Sequence, residues 1–299
     1  MRQTVAVLQI DAFSSRPLGG NPAGVVLEAD GLSERQMRGV AGELNVAETA
    51  FLTRAGQPGA DHRLRWFTPS GKEVSFCGHA TVATVHALAE TGRLKRERVV
   101  FDTLGGLLPV TVDRTATGSL IWLEPVVPTC ILYSEPLAPV LDALGLVTDA
   151  LATWARPALT PERDLLLPAA GLGVLKSLAP DMQRLGRLGS DGGIRGFCLT
   201  SLETVEPASL IHSRFFAPHY GIPEDPVTGS VHASLPVWLW QASRLKPEGD
   251  VAAFTAEQGD FLDRPGRVRV ELHLARGQPA RVRVGGQAVT VLSGTIRVR

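Results

Sequence analysis

The chain has 299 residues, 44% of them hydrophobic and only 20% charged, which provides core for one large or two medium domains and argues against extended disorder. Thirty basic side chains balance thirty acidic ones, so there is no electrostatic case for nucleic acid or an anionic membrane surface. Three scattered cysteines, Cys77, Cys130 and Cys198, make no disulfide framework and no CxxC pair, and a reducing cytoplasm is the simple expectation.

Met1-Arg2-Gln3 leads directly into a strand over Thr4 to Phe13, so no signal peptide is expected, and no apolar run is long enough to span a bilayer. A turn-rich loop with Gly19-Gly20-Asn21-Pro22 follows, matching neither phosphate-loop pattern, and then a strand at Val25-Val26-Leu27. Ser33-Glu34-Arg35-Gln36 is a capping box that opens a helix carrying Met37, Val40, Ala41 and Leu44 at helical spacing. Asn45 to Leu52 returns to strand with Glu48, a carboxylate among small and apolar neighbours.

The stretch Arg65 to Glu90 organises the chain. Arg65-Trp66-Phe67 ends a strand, Thr68 to Phe76 is a loop, and Gly78 onward is small, apolar and almost uncharged to Glu90, the signature of a buried helix. Strands follow at Val99-Val100-Phe101, Leu107 to Val112 and Leu120 to Leu123, and Pro125 to Pro128 reads as a crossing between halves. The second half shows a helix over Leu137 to Leu146, strands at Arg163 to Pro168 and Val174-Leu175, a helix over Asp181 to Leu188 and a strand at Gly196 to Thr200. It then repeats the organising stretch: Arg214-Phe215-Phe216-Ala217-Pro218, a loop through Asp225 and Thr228, Gly229-Ser230-Val231, and an uncharged run from Ala233 to Gln241. Arg214 follows Arg65 by 149 residues and Gly229 follows Gly78 by 151, a period that implies two similar domains, not a solenoid. The remaining strands are Arg267 to Leu272, Ala280 to Val284 and Val289 to Val298. Two strand–loop–buried-helix units from facing halves are expected to aim two helix N-termini, with their unpaired amides, at one cleft.

Each chemical candidate has a plainer alternative. Glu48 reads as a general acid/base or as a solvated strand glutamate; His79 as a carboxylate binder or proton relay, or as a structural histidine. Asp225 with Thr228 and Ser230 reads as a carboxylate and hydroxyls in a cleft, or as an N-cap and turn. Cys77 invites a thiol-base reading, but the matching position of the second half is Thr228. The seven histidines show no ligand spacing, so no metal is expected.

Together these residues resemble the PhzF family of phenazine-biosynthesis-type isomerases, relatives of diaminopimelate epimerase and proline racemase. The landmarks are Asp11-Ala12-Phe13 with Gly20-Asn21-Pro22-Ala23, Asn45 to Leu52, Arg65 to Pro69, Cys77-Gly78-His79-Ala80-Thr81, Ser213 to Pro218, Glu224 to Ser230, and Glu257-Gln258-Gly259 with Arg264-Pro265-Gly266. The resemblance implies an α/β (α+β type) chain of two pseudo-symmetric halves, each a curled, mostly antiparallel sheet around a central helix. The halves are placed at 1–124 and 125–299, with the last strand a candidate to return to the first. It further implies a cofactor-independent, cytoplasmic, homodimeric isomerase acting on a small carboxylate-bearing molecule. Glu48, His79 and Asp225 are the catalytic positions, and Gly78, His79, Gly229, Ser230 and Asn21 the substrate-binding ones. The epimerase relatives use two cysteines, and this chain lacks the second.

The expected reaction moves a proton between carbons, with Glu48 taking and returning it, partly shielded from water and within reach of His79 or Asp225. An epimerase or racemase of an amino or hydroxy acid is one alternative, and a non-catalytic binder of small acids another.

Overall fold

A computed structural model of the chain describes residues 3–115 and 118–298; Met1 and Arg2, read as leading into the first strand, lie outside the described residues. In chain order the first elements are β1 (Gln3–Ala12), β2 (Asn21–Val26), α1 (Glu34–Leu44), β3 (Glu48–Arg54), β4 (His62–Phe67), β5 (Glu73–Val74), α2 (Gly78–Glu90), β6 (Arg98–Thr103), β7 (Gly106–Thr115) and β8 (Gly118–Leu123). There follow β9 (Ile131–Leu132), α3 (Ala138–Ala143), β10 (Ala158–Leu159), β11 (Asp164–Pro168), α4 (Leu172–Ser177), α5 (Met182–Gly192), β12 (Gly196–Ser201), β13 (Ile211–Ala217) and β14 (Ile222–Asp225). The last are α6 (Gly229–Gln241), β15 (Val251–Gln258), β16 (Gly266–Ala275), β17 (Gln278–Gly286) and β18 (Ala288–Val298). This is a mixed α/β fold, rich in strands and poor in helices. Among the described residues, no helix is long and apolar enough to cross a membrane.

The chain divides into two units, Met1–Glu124 with Gly285–Arg299, and Pro125–Val284. The C-terminal strand belongs with the first because β18 pairs antiparallel along the whole of β1. From β18 the first sheet continues through β1, β2, β3 and β4 to β6, β7 and β8. Only β2–β3 and β4–β6 are parallel. One edge of β4 is shared: His62 and Arg63 pair with β6, while Trp66 and Phe67 pair with β5.

The sheet curls because α2 touches β1, β2, β3, β8 and β18. From Gly78 to Val85 every residue of α2 is buried, as its uncharged sequence requires. Burying Val82, Val85 and Leu88 there is worth about 1.5–3 kcal/mol each. On the other face lies α1, whose Met37, Val40 and Ala41 join Val5, Val26, Phe51 and Phe67 in one core cluster. Its start is the capping box: Ser33 accepts from the Gln36 amide and Gln36 reaches back to the Ser33 amide. At Gly20, in the β1–β2 turn, φ is +56° and a Cβ would sit 2.1 Å from the Ala12 carbonyl oxygen, so only glycine fits.

The second unit repeats this wiring. β11–β12 is parallel, β12–β13 antiparallel, and β13 gives Ile211 to Ser213 to β15 in parallel while Phe215 and Ala217 pair with β14. α5 precedes β12 as α1 precedes β3, and α6, thirteen residues like α2, follows β14 as α2 follows β5. The repeat extends to a side-chain fork. Arg65 Nε and a terminal guanidinium nitrogen donate to the two carboxylate oxygens of Glu73, both at 2.7 Å, and the guanidinium lies 5.0 Å from the Phe67 ring centre. Arg214 does the same to Glu224 at 2.8 and 2.7 Å, 5.1 Å from the Phe216 ring. Each fork ties the last strand before the loop to the short strand that leads into the buried helix.

Two local expectations change. Val174 and Leu175, read as strand, lie in α4; two apolar residues carry no period, and Leu175 simply turns into the core of the second unit. The helix read over Leu137 to Leu146 is shorter, Ala138–Ala143. β15 went unread because its alanine, glutamate and glutamine dilute the strand signal.

Arg214 also donates to the Leu175 carbonyl at 2.7 Å, closing the end of α4. Replacing it leaves Glu224 paired with nothing of opposite charge at a site where both side chains are 10% exposed. Arg214→Met is therefore expected to lower stability by about 3 kcal/mol, and Arg214→Lys to recover little, because lysine cannot make the two-pronged contact. Denaturant unfolding of the two variants checks this.

Candidate active site

Glu48 is the first residue of β3 and pairs across the parallel ladder with Ala23 of β2. Cys77 is the N-cap of α2, in extended conformation, and makes no side-chain cap bond. Gly78 and His79 are the first two helical residues. Here Glu48 meets two side chains of the α2 start, Cys77 and His79. Glu48 Oε2 lies 3.3 Å from His79 Nε2, and the Cys77 thiol donates toward the same oxygen at 3.6 Å. Cys77 Sγ is also 3.6 Å from His79 Nδ1 and 3.9 Å from Nε2. The Glu48 side chain is 16% exposed and that of His79 9%, so the carboxylate is reachable but shielded. Burial pushes the His79 imidazole down to about 4, so at neutral pH it is a neutral ring, not an imidazolium, that faces Glu48. Asn21 opens β2 and is fully buried, two residues ahead of the Ala23–Glu48 pair.

In the second unit Asp225 ends β14, and its carboxylate accepts from the Thr228 hydroxyl at 2.6 Å. Thr228, not Asp225, is the N-cap of α6, and again no side chain caps the helix. Gly229 and Ser230 are its first two residues. Three further residues, none given a role from sequence, support this loop and the start of α6. Gln258, fully buried, accepts from the Thr228 amide at 3.1 Å and donates to the Asp225 carbonyl at 2.7 Å and to the Thr228 hydroxyl at 3.1 Å. The next residue, Gly259, has φ +90°, and a Cβ there would sit 2.4 Å from the Arg264 carbonyl oxygen and 2.7 Å from that of Pro226. Arg195 donates to the Ser230 hydroxyl at 2.9 Å and grips the fully buried Asp164 with two nitrogens, Nε at 2.8 Å. Burial raises the Asp164 carboxyl even so, and Asp164 in turn raises Arg195 against the burial that opposes its charge.

Gln258 falls inside a landmark that had no role assigned. Asp164 is the one charge in an apolar strand, a signal that could have been used. Arg195 sits in a connecting loop and has no local signal at all.

The chain matches the phenazine biosynthesis-like protein (PhzC-PhzF) family over residues 10–294. It belongs to that family. An uncharacterized isomerase of Escherichia coli O157:H7, YddE, is 34% identical over 95% of this chain and 95% of that one. A crystal structure of the Bacillus anthracis PhzF-family protein superposes with a TM-score of 0.90 at 28% identity, covering 98% of this chain and 99% of that one. A hydroxyproline epimerase from Agrobacterium vitis shares the fold at TM-score 0.60 and 13% identity, covering 99% and 92%. The PhzF resemblance and the curled α/β fold expected from the sequence are thus shown.

Two buried imidazoles make stability depend on pH. His79 and His232, whose Nδ1 pairs with the Thr228 carbonyl at 2.8 Å, are each pushed by burial from 6.5 down to about 4. Between those values the unfolded chain binds more protons than the folded one. Stability is therefore full above pH 6.5 and lost as pH falls toward 4, by at most on the order of 3 kcal/mol per ring. Thermal melts from about pH 7.5 to about pH 4.5 should show this fall, with a shallower slope for His232→Asn.

Proposed function

We propose that this protein is a cofactor-independent isomerase that moves a proton between carbons of a small carboxylate-bearing substrate, with Glu48 as the group that takes and returns it. The observation that carries this reading is the Glu48 carboxylate at the mouth of α2. It is shielded, reachable, and touched by the neutral His79 ring and the Cys77 thiol. A carbon acid beside a carbonyl or conjugated group needs a positioned base, and delivery of the proton to another carbon needs the conjugate acid on the same face. One carboxyl group does both. The uncapped first-turn amides of α2, at Gly78 and His79, suit a substrate carboxylate. Asp225, Gly229 and Ser230 of the second unit remain candidates for holding the substrate, joined by Arg195 as a cation. The name isomerase carried by the E. coli relative agrees with this chemistry.

Epimerisation or racemisation is the second reading, and the fold shared with a hydroxyproline epimerase favours it. A two-thiol mechanism would need a partner for Cys77, and the repeat places Thr228 at that position as the N-cap of α6.

Small carboxylates bearing an activated C–H, incubated with the protein in D2O and followed by NMR, are expected to gain deuterium. Glu48→Gln should keep the fold and lower that exchange by roughly 10²–10⁴-fold. Exchange at the parental rate in this variant would remove Glu48 from the mechanism. Cys77→Ala, by contrast, is expected to lower exchange by no more than about tenfold, because it removes weak thiol contacts and leaves the Glu48 carboxylate in place. A loss of several orders of magnitude would instead make the thiol a base.

A further inference from the structure

Glu48, Cys77 and His79 present one carboxylate oxygen, one thiol sulfur and one imidazole nitrogen, all within 4.8 Å of one another. We propose that these three side chains form a tetrahedral site for a thiophilic divalent cation, Zn2+ above all, and that the bound cation shuts the reaction off. The inhibitory half rests on the Glu48 reading above; the binding half rests on geometry alone.

Tetrahedral zinc has bonds of about 2.3 Å to sulfur, about 2.0–2.1 Å to imidazole nitrogen and about 2.0–2.2 Å to carboxylate oxygen. Those lengths put neighbouring ligand atoms ~3.3–3.6 Å apart along the edges of the tetrahedron. The edges found here are 3.3 Å for Glu48 Oε2 to His79 Nε2, 3.6 Å for Cys77 Sγ to Glu48 Oε2 and 3.9 Å for Cys77 Sγ to His79 Nε2. The three edges therefore match one face of a zinc tetrahedron to within a few tenths of an ångström; because Cys77 Sγ is also 3.6 Å from His79 Nδ1, the imidazole must in addition turn to aim Nε2 at the cation. Three protein ligands leave the fourth position to water or to a substrate oxygen, the pattern of zinc sites with an open coordination position.

The backbone helps to hold the triangle in place. Cys77 and His79 flank Gly78 at the start of a helix buried without a break from Gly78 to Val85, and Glu48 begins a strand whose next four residues are buried. Binding balances simply: the Cys77 thiol releases its proton to solvent, the Zn–S bond forms, and no electron moves. Ligation engages the carboxylate oxygen that would otherwise accept the substrate proton, so cation and proton transfer exclude each other.

A second group of possible ligands, His212, Glu257 and Asp260, does not compare. Glu257 already accepts the Val205 and Glu206 amides, both at 2.7 Å, and Asp260 takes a two-pronged contact from Arg267 at 3.0 and 2.9 Å. A cation there would have to displace a guanidinium. Among the described residues, neither Cys130 nor Cys198 belongs to such a group.

Co2+ is the probe, because a cobalt–thiolate bond has its own absorption. The full chain, stripped with a chelator and titrated with Co2+, is expected to take up one equivalent. Uptake should give visible tetrahedral bands and a near-ultraviolet thiolate charge-transfer band, and Zn2+ should abolish both. Cys77→Ser should lose the charge-transfer band, and Glu48→Gln and His79→Asn should each weaken Zn2+, measured against a competing chelator, by on the order of tenfold or more. Cys130→Ser and Cys198→Ser should keep the spectrum, and circular dichroism should confirm that each variant is folded. Absence of the charge-transfer band in the parent, or its survival in Cys77→Ser, overturns the site. In the activity arm, Zn2+ should stop deuterium exchange, a chelator should restore it, and Cys77→Ala should be less sensitive. Zn2+ bound through Cys77 while exchange continues overturns the inhibitory half and leaves the metal site in place, whereas the Glu48→Gln exchange rate tests the base on its own.

Discussion

Everything in the first unit follows from the burial of one helix. A thirteen-residue segment without a charged residue before its last position has no face to offer to water, so the sheet must close around it. The strands from β18 to β8 do so, and all of β1, β2, β3, β8 and β18 touch α2. A helix enclosed on its sides can meet solvent or ligand only at its ends. With the Cys77 thiol turned to Glu48 and His79 and not capping the helix, the first amides of α2 stay available at the one place where chemistry is possible. The same constraint acts a second time on α6, whose N-cap Thr228 spends its hydroxyl on Asp225 and not on the helix.

Such a helix is useful only if the loop that delivers it is rigid. The arginine–glutamate forks supply that rigidity in both units: Arg65 with Glu73 and Arg214 with Glu224, each guanidinium resting on a phenylalanine ring of its own strand. In the second unit Gln258 adds three hydrogen bonds to the loop before α6. These are side chains that hold the helix entrance in place without belonging to the reacting groups.

Burial also sets the electrical character of the two clusters. The first unit gathers a carboxylate, a thiol and an imidazole that burial keeps neutral, so no permanent cation is bound to Glu48 through His79. The second gathers a guanidinium locked onto a fully buried aspartate, a serine hydroxyl and an aspartate held by a threonine. A guanidinium paired with a buried carboxylate keeps its charge and is suited to holding charge in place.

The sequence alone determined a good deal. The uncharged run after Gly78 dictates a buried helix, Ser33 and Gln36 dictate where α1 begins, and the recurrence of Arg-x-Phe-x-Pro and a glycine dictates a duplicated fold, because these are local patterns of period and capping. The return of β18 to β1 could be suspected but not read, since strand pairing is a long-range choice. Two-residue apolar runs such as Val174-Leu175 were ambiguous for want of a period. Glu48 and His79 could be named from the motifs that carry them, and their proximity expected, but not the Cys77 thiol as the third member of the group. Residues 29 and 31 positions apart in sequence, Cys77 and His79 on a helix start and Glu48 on a strand start, meet only because the sheet curls. Arg195 and Asp164, the latter buried at the start of β11, pair across 31 residues because β11 and β12 lie side by side in parallel, with Asp164 opposite Gly196. Local pattern decided which elements form. Only the closure of the sheets around their helices decided which side chains share a site, because that closure brings distant strand ends and helix starts to the same place.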